Sequence, residues 1–475
     1  MLNFINRFAT LPESFYSRQQ PDIPEGFRWL CGSDSAAREM NLELNQEGRE
    51  ALLQLCSGHN PSADPLAMVY SGHQFGGYTP QLGDGRGLLL GEVTGARQQT
   101  FELHLKGAGM TPFSRRGDGR AVLRSSIREF LGSEYLAALG LPTTRALCLL
   151  GSDEPVYREK EERAALIVRM ATTHIRFGHF EFFYFTQQQY ELKKLVDFVL
   201  ETYFPHCLQE VDPIGAMFAS IVEKTAKMIA GWQAYGFCHG VMNTDNFSIV
   251  GETFDFGPYA FLDDYNPRHI CNHSDYEGRY SFYRQPVVAH WNLQCLARAL
   301  SGFIGKEAIL KALNSYEGVL VNHFNALMAA KLGFSGMDAE HHECLKGFLN
   351  ILAANQMDYS LSLRSLSQWG REGSLELLRS ECRDLEAIDE WIDRYTALAS
   401  VEVEIQARMD EFNPRFVLRN YLLQQAIEKA EQGDMSEVER LLLVMSQPFA
   451  EQSDNQHYAL RPPEWGKHLE ISCSS

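Results

Sequence analysis

The stretch from 239 to 257 carries the side chains whose types and spacing most clearly suggest chemistry. Its motifs, in order, are His239-Gly240, Asp245-Asn246 and Asp255-Phe256-Gly257. The spacing matches a layout in which a loop that begins with His ends in an Asn that holds a divalent cation. A short strand follows in that layout, and the Asp of an Asp-Phe-Gly turn holds the same cation against nucleotide phosphates. The stretch therefore predicts a metal-dependent nucleotide site with Asn246 and Asp255 as the metal ligands.

One position departs from the loop that kinase-like enzymes use for phosphoryl transfer. Such loops place a catalytic Asp two residues after the His, where it accepts the proton of the substrate hydroxyl. Here that position is Val241, which cannot accept a proton. The nearest carboxylate is Asp245, beside the predicted metal-binding Asn. Two interpretations stay open: the chain has lost phosphoryl transfer, or it performs different nucleotide chemistry with a displaced base.

A glycine-rich region upstream leads into two predicted strands. Gly83, Gly85 and Gly87 precede an apolar run at 88–93, and a second strand at 101–106 ends in Lys106. Glycines let backbone N–H groups approach phosphate oxygens, and a lysine adds a positive charge. The pattern predicts a hairpin that covers a nucleotide. The alternative is that the glycines form tight turns and that the lysine is a solvated strand end.

Residues 121–139 are predicted to form a helix, because apolar residues recur on one stripe and Gly140-Leu141-Pro142 follows as a stop. A helix in this place of a kinase-like lobe supplies a Glu that pairs with the strand lysine. Glu129 and Glu134 are both candidates. Helical spacing alone does not choose between them.

Two more strands are predicted at 144–150 and 164–170. Arg169 ends the second, and Arg176 follows it. Arginines at strand ends are usually solvated, but two that flank a nucleotide cleft would hold phosphates through bidentate contacts. The rest of the pattern is helical, with predicted helices at 192–203, 217–235, 287–304, 306–330, 376–394, 401–410, 417–431 and 435–445.

Length and composition set the class of protein. The chain has 475 residues, of which 45% are hydrophobic, so it can form two or three packed units. Its formal net charge of -18 disfavours general nucleic-acid binding. It lacks a run of about 18 apolar residues and a signal-peptide pattern, which predicts a cytoplasmic protein without membrane contact. The ten cysteines include no Cys-x-x-Cys, which suits reduced thiols.

Together these motifs resemble the selenoprotein O (SelO) family, a group of kinase-like proteins described as pseudokinases that act as protein adenylyltransferases. The resemblance spans nearly the whole chain. Its specific pieces are Tyr70 to Gly77, Gly83 to Gly87, Lys106-Gly107-Ala108-Gly109, Ser114 to Phe130, His239 to Asn246 and Asp255-Phe256-Gly257.

The resemblance implies an α+β, protein-kinase-like fold of two lobes. The expected divisions are an amino-terminal extension at 1–60, a small β-rich lobe at 61–185, a larger helical lobe at 186–400 and a helical carboxy-terminal extension and tail at 401–475. It also implies that ATP binds inverted relative to protein kinases, so that the α-phosphate faces the acceptor and AMP is transferred with Mg²⁺ or Mn²⁺.

The family's functional residues can be placed on this chain. Lys106 would bind phosphate and pair with Glu129, and Asp245 would accept the proton. Arg169 and Arg176 would hold the inverted phosphate tail. The remaining implied contacts are Gly83, Gly85, Arg86, Asp118, Gly119 and Asp255 to the nucleotide, and Asn246 and Asp255 to the metal.

Three functions are compared. The first is transfer of AMP from ATP to Ser, Thr or Tyr hydroxyls of target proteins, with UMP transfer from UTP left open. The alternatives are a true kinase and an inactive nucleotide-binding scaffold. Val241 counts against the kinase, and retention of Lys106, Asn246 and Asp255 counts against the scaffold.

The carboxy terminus departs from some family members, which carry selenocysteine near the end, whereas this chain has Cys473 followed by two serines. An exposed terminal thiol can be oxidised. Cys271 is a candidate partner because it follows the Asp-Phe-Gly turn by a short loop. A Cys271–Cys473 bridge would clamp the tail beside the site; the alternative is a terminal thiol without a role.

Overall fold

An antiparallel sheet of eight strands carries the glycine-rich segment and Lys106. The computed structural model describes residues 4–60, 62–372, 374–399 and 408–471. The strands, in chain order, are β1 (Tyr16–Arg18), β2 (Arg28–Gly32), β3 (Leu66–Met68), β4 (Gly72–Gln74), β5 (Gly77–Thr79), β6 (Gly87–Thr94), β7 (Thr100–Lys106), β8 (Ala121–Val122), β9 (Arg145–Tyr157), β10 (Glu161–Ala171), β11 (Phe237–Cys238) and β12 (Ala260–Phe261). The large sheet runs β1-β3-β6-β7-β10-β9-β2, with β8 paired to β10, while β4-β5 and β11-β12 form separate pairs.

The two faces of the large sheet bury different cores, as the alternation of side chains along a strand requires. Leu89 of β6 and Leu149 of β9 belong to the main core. Their neighbours Leu88 and Leu90 point to the opposite face and join a second core. The sheet is thus covered on both sides, which holds its strand ends in fixed positions around the site.

Helices make up most of the remaining described chain. They are α1 (Asp34–Glu39), α2 (Gln46–Cys56), α3 (Leu123–Ala138), α4 (Phe177–Phe185), α5 (Gln189–Tyr203), α6 (Pro213–Ala234), α7 (Gln285–Leu300), α8 (Lys306–Leu332), α9 (Ala339–Asn355), α10 (Tyr359–Glu372), α11 (Glu376–Ser380), α12 (Leu385–Leu398), α13 (Asn420–Glu431) and α14 (Ser436–Met445). Helix α6 lies at the centre of the helical part and packs against α5, α7 and α8. The architecture is mixed α/β, with an antiparallel sheet and a helical part, and is compatible with two lobes.

The two ends of the described chain both pack on the sheet-bearing part. Strands β1 and β2 form the outer strands of the large sheet. At the other end, α13 and α14 pack against α3. The Tyr135 hydroxyl on α3 donates to the Phe416 carbonyl at 2.8 Å, and the buried Arg128 guanidinium donates to the Asn420 side chain. The carboxy-terminal helices therefore help to fix the helix that carries Glu129.

The sheet strands and the longer helices predicted from the sequence are confirmed. Strands β6, β7, β9 and β10 and helices α3, α5, α6, α7, α8, α13 and α14 each cover the expected segment, with shifted ends. The prediction of one helix at 376–394 is wrong. Two helices occur there because Asp384 accepts the backbone N–H of Ala387 and starts a new helix. Most of the helix predicted at 401–410 lies outside the described residues.

Several helices were not predicted. Helix α4 has the sequence Phe-Gly-His-Phe-Glu-Phe-Phe-Tyr-Phe and is buried on most sides, so it lacks the apolar stripe that sequence periodicity detects. Helices α1, α2, α9 and α10 were also missed. None of the helices within the described ranges is long and apolar enough to cross a membrane.

The packing of the sheet on α3 gives a stability prediction. Leu149 is fully buried between them, so Leu149→Ala should lower the free energy of unfolding by about 2–5 kcal/mol through lost burial and the cavity left behind. Tyr157→Ala on the same strand is the control, because that side chain is 71% exposed and should change stability by less than about 0.5 kcal/mol. Urea unfolding of both variants measures the difference, and equal midpoints would contradict the assigned core.

Candidate functional site

A cavity of about 1120 Å³ brings the predicted nucleotide and metal residues together. Its walls come from the glycine-rich segment, the ends of β7 and β10, the loop before α3 and the stretch around 239–257. The sequence-predicted residues that line it are Gly83, Gly85, Arg86, Lys106, Asp118, Gly119, Arg169, Arg176, Asp245, Asn246 and Asp255. Residues separated by more than 170 positions in sequence thus meet at one site.

The cavity is cationic although the chain as a whole is acidic. Eight lysine and arginine residues line it, against four aspartates. The cations are Arg86, Lys106, Arg115, Arg116, Arg120, Arg158, Arg169 and Arg176. A cleft lined mainly by one sign of charge attracts ligands of the opposite sign. The lining therefore suits a polyphosphate, which the net charge of -18 would otherwise repel.

Lys106 pairs with Glu129, and the structure thereby distinguishes the two glutamates that the sequence left open. The lysine Nζ lies 2.6 Å from a Glu129 carboxylate oxygen, and Arg169 donates to the other oxygen. Glu134 instead binds Arg145 at 2.7 Å, away from the lysine. Burial tends to raise the pKa of Glu129, but the charges of Arg169 and Lys106 outweigh it and keep that pKa below its usual value.

Burial lowers the pKa of Lys106 to about 8, although Glu129 opposes the shift. The two nearby arginine charges, Arg169 and Arg86, act in the same direction as burial. A lysine in this environment gains from the arrival of an anion, because a phosphate would offset both the lost hydration and the neighbouring cations. Nucleotide binding should therefore increase the charged fraction of the lysine.

Asp255 is held between two buried arginines. Arg169 lies 2.7 Å from one carboxylate oxygen, and Arg176 donates to the other and, at 2.7 Å, to the backbone carbonyl of Asp245. Burial acts to raise the pKa of Asp255, but the arginines and Lys106 hold it well below its usual value. The residue is ionised and has a backbone φ of +61°, in the left-handed region.

Asp245 has a different environment from Asp255. It is 7% exposed, and burial raises its pKa to about 7, with Arg176 and Gln74 opposing the shift. Gln74 donates its side-chain amide to one carboxylate oxygen at 3.1 Å, and the other oxygen has no hydrogen-bond partner among the described residues. A carboxylate with this pKa and a free buried oxygen can accept a proton near neutral pH.

The backbone of β4 lies directly against this carboxylate. A Cβ atom at Gly72 would stand 2.5 Å from the Asp245 Oδ1 atom, closer than any side chain can approach. Glycine at this position therefore permits the contact. The neighbouring backbone N–H of His73 donates to the Thr244 hydroxyl at 2.7 Å, which fixes the strand to the loop that carries Asp245.

Asn246 and Asp255 offer the oxygen donors that Mg²⁺ and Mn²⁺ prefer. The Asn246 amide nitrogen donates to the Val241 carbonyl at 2.9 Å, so its carbonyl oxygen is the end left for a metal. The Asp255 carboxylate is ionised, as a metal ligand must be. The donor set therefore fits a hard divalent cation.

A second group of metal-ligating side chains, His73, Glu181 and Cys295, lies apart from this pair. His73 Nδ1 is 2.7 Å from one Glu181 oxygen, and the other oxygen accepts the Thr244 hydroxyl. None of these three side chains lines the cavity. The group connects β4, α4 and the loop around Thr244, which is a structural role.

His239 positions the Asp-Phe-Gly turn and does no proton transfer in this arrangement. Its ring stacks on Trp232 at 5.2 Å. The Val241 backbone N–H approaches Nδ1 at 3.3 Å, so Nε2 carries the hydrogen and donates to the Phe254 carbonyl at 3.0 Å. Burial lowers the pKa of His239, which keeps the ring neutral.

Sequence reasoning missed several residues of the cavity. Arg158 binds both oxygens of Asp118 at 2.7 and 2.9 Å and closes the outer end of the cavity. Gln74 and Phe75 line the side next to Asp245. The density of arginines at 115–120 is the sequence signal that could have found further cationic residues of the cavity. Gln74 and Phe75 lie within the stretch Tyr70 to Gly77 that contributes to the family resemblance, but neither carries a charge that would mark it as a site residue.

The structure describes only one cysteine of the predicted redox pair, Cys271 and Cys473. Cys473 lies outside the described residues. Cys271 is buried, with its sulfur 3.4 Å from that of Cys238, and burial raises its pKa well above the usual value. Such a thiol stays protonated and unreactive. The backbone N–H of His273 donates to the Ile471 carbonyl at 2.9 Å, so the last described residue contacts the loop that contains Cys271.

Comparison with known proteins gives a consistent result. Residues 1–446 match the family model described as Protein adenylyltransferase SelO. The chain is 51% identical over 481 residues to Protein nucleotidyltransferase YdiU of Pseudomonas fluorescens, covering 100% of this chain and 99% of that protein. The protein of the same name from Ectopseudomonas mendocina is 52% identical over 481 residues, with the same coverage. That from Vibrio cholerae is 51% identical over 481 residues, covering 99% of this chain and 98% of its own length.

The pairing of Glu129 gives a prediction. Glu129→Gln removes the carboxylate that neutralises two buried cations, so it should lower the free energy of unfolding by about 3–5 kcal/mol. Glu13→Gln is an isosteric control, because Glu13 is 89% exposed and lies 3.7 Å from Arg18. Denaturant unfolding measures both variants. If Glu129→Gln lowers the free energy of unfolding no more than Glu13→Gln does, the importance assigned to the pairing of Glu129 with Lys106 and Arg169 is contradicted.

Proposed function

Because this chain belongs to the protein adenylyltransferase SelO family and is a nucleotidyltransferase, we propose that it transfers AMP from ATP to hydroxyl side chains of target proteins. In this proposal the cavity is the cleft of a kinase-like fold, with a small lobe at 61–185 and a helical lobe at 186–400. The segments 1–60 and 401–475 are additions to that fold. Mg²⁺ or Mn²⁺ is required.

The observation that carries the proposal is the pair of buried arginines beside Asp255. Arg169 and Arg176 are 4% and 2% exposed, and both reach the carboxylate that would hold the metal. Guanidinium groups bind phosphate oxygens through paired hydrogen bonds. We assign the β- and γ-phosphates to this inner end, next to Lys106. The α-phosphate then lies toward Asp245, which is the inverted orientation implied by the family.

The residues around the α-phosphate support nucleotidyl transfer. In the reaction, the acceptor oxygen forms a bond to the α-phosphorus, and the bond from that phosphorus to the bridging oxygen breaks. Its electron pair leaves with pyrophosphate. Asp245 takes the proton of the acceptor hydroxyl, as its pKa of about 7 permits near neutrality. Val241 occupies the position of the kinase base, so that position takes no part.

Stabilisation of negative charge on the phosphates supplies the rest of the acceleration. A divalent cation held by Asn246 and Asp255 would neutralise phosphate charge. Lys106 and the two arginines would stabilise the negative charge that develops on pyrophosphate. The two arginines are buried, and all three cations are already paired with Glu129 or Asp255, so they need little reorganisation when the nucleotide arrives. The two buried arginines therefore hold the phosphates in one fixed position.

The experiment that tests the proposal compares ATP labelled at the α-phosphate with ATP labelled at the γ-phosphate. The full chain is incubated with each donor, Mg²⁺ and a protein extract. Label from the α position on protein supports the proposal. Label from the γ position that appears only when the chain is added would make the chain a kinase, and no chain-dependent label from either donor would make it a nucleotide-binding scaffold. Parallel reactions with α-labelled UTP measure whether UMP is transferred.

Asp255→Asn should weaken stimulation by metal. The amide keeps the shape of the side chain but removes the charge that binds the cation, so the concentration of Mg²⁺ that gives half-maximal transfer should rise at least roughly tenfold. Transfer of α-label is measured across a Mg²⁺ series. Asp263→Asn is the control, because that carboxylate binds Arg419 outside the cavity. An unchanged Mg²⁺ dependence in Asp255→Asn would refute its role as metal ligand.

Asp245→Asn should reduce turnover while preserving nucleotide binding. Asparagine can accept the Gln74 hydrogen bond but cannot take a proton, so kcat should fall by roughly 10²–10⁴. The dissociation constant of the ATP–Mg²⁺ complex, measured by calorimetry, should change little. A collapse of nucleotide affinity with unchanged turnover per bound nucleotide would make Asp245 part of the metal or phosphate contacts instead.

A further inference from the structure

The turn of the hairpin β4–β5 lies at the cavity and has a backbone conformation that its residue types disfavour. Phe75 and Gly76 form the two-residue connection, with φ angles of +50° and +86°. Positive φ at both positions defines a type I′ turn, which Asn-Gly and Gly-Gly sequences favour. A bulky residue with positive φ is a genuine outlier. Such strain persists only where surrounding contacts hold it in place, and it is concentrated at functional sites.

The contacts that hold Phe75 come from the loop beside the candidate base. Its backbone N–H donates to the Tyr280 hydroxyl at 2.8 Å and approaches the Asn243 side-chain oxygen at 3.3 Å. The Tyr280 hydroxyl in turn donates to the same Asn243 oxygen at 2.7 Å. Gln74, the preceding residue, donates to Asp245. The turn is therefore fixed to Tyr280, to Asn243 and, through Gln74, to the base itself.

Although its backbone is held, the side chain of Phe75 is not buried. The ring is 46% exposed, rests against Tyr280 with centroids 5.1 Å apart, and lines the cavity together with Asp245 and Val241. Packing of the core does not require this ring, because Phe75 belongs to none of the core clusters of the described residues. An aromatic ring that stays partly exposed beside a catalytic carboxylate is available to a ligand.

The size of the cavity leaves space for a second substrate on this side. Its volume of about 1120 Å³ exceeds the roughly 300–1,000 Å³ of typical small-molecule sites. The cations that line the cavity do not include any at the hairpin tip: Gln74 and Phe75 carry no charge, and Arg279, which lies against Gly76, does not line the cavity. An acceptor hydroxyl must reach Asp245, and Gln74 and Phe75 form the cavity wall beside that carboxylate.

We propose that Phe75 selects the acceptor: its exposed ring contacts an aromatic or large aliphatic side chain that flanks the hydroxyl residue in an extended segment of the target protein. This inference rests on the proposed function, because it assigns the protein substrate to the same cavity. The strained turn presents the ring, and the bonds to Tyr280 and Asn243 prevent its retreat. The same bonds place the flanking side chain at a fixed distance from Asp245. Phe75 is thus a specificity-determining residue.

The critical variant is Phe75→Asn, which gives the turn the sequence that its geometry favours. The hairpin should keep its fold, and the midpoint of thermal unfolding should be equal to or above that of the unchanged chain. Only the apolar contact is lost. Phe75→Tyr keeps a ring and serves as the conservative rescue. Tyr190→Ala is the matched control, because Tyr190 is also an exposed aromatic residue, at 68%, and lies on α5 away from the cavity.

The probe is an array of short extended peptides with a central Tyr, Ser or Thr and every residue type at each flanking position. The full-length variants are incubated with the array, Mg²⁺ and ATP labelled at the α-phosphate. The unchanged chain should prefer an aromatic or large aliphatic residue at one flanking position. Phe75→Asn should lose that preference and raise the KM of preferred peptides by roughly two- to tenfold. The affinity for ATP and kcat should stay within about twofold.

Phe75→Tyr and Tyr190→Ala should retain the preference. The same flanking preferences in Phe75→Asn and in the unchanged chain would overturn the inference. A loss of transfer activity in Phe75→Asn that arises from weaker ATP binding would also overturn the inference, because Phe75 would then belong to the nucleotide contacts. Absence of α-label on every peptide and protein with the unchanged chain would contradict the proposed function itself, which separates the two failures.

Discussion

Two buried arginines that share one carboxylate are the constraint on which the site depends. A charge removed from water must be paired, or it costs more than a small domain can supply. Arg169 meets that requirement through Glu129 and Asp255, and Arg176 through Asp255 and a backbone carbonyl. The position of Asp255 is therefore fixed by the fold before any ligand binds. Nucleotide phosphates would give the two guanidinium groups further anionic partners beyond those that the protein supplies.

The sheet explains how these charges come to lie together. Strands β7 and β10 are neighbours, and their register sets Lys106 opposite Ile167 and Arg169 opposite His104. The cation of each strand thus lies near the same end of the sheet, although the two are far apart in sequence. Helix α3 packs across β9 and β10. This packing places the Glu129 carboxylate between Lys106 and Arg169. A slip of one residue in this register would turn one cation to the opposite face.

Much of the fold and of the nucleotide side of the site could be predicted from the sequence. Runs of apolar residues predicted the sheet strands, and the residue types around Asp245 and Asp255 predicted a nucleotide site. The choice between Glu129 and Glu134 could not be made, because both lie on plausible faces of one helix and only the packing of that helix decides. Helix α4 was missed because it is apolar all round. The strained turn at Phe75 was missed because its residues lack the composition that normally marks such turns.

The contacts between the carboxy-terminal helices and α3 have a consequence for how the enzyme is made. Arg128, the neighbour of Glu129, bonds with Asn420 across a separation of 292 residues. Synthesis proceeds from the amino terminus at about 5–20 residues per second, so roughly 15–60 s separate the appearance of the two partners on the ribosome. During that interval the nascent sheet and α3 exist without the helices that clamp them. A nascent chain that does not yet include Asn420 therefore holds α3 without these contacts, and the position of Glu129 is fully fixed only after that residue has been added.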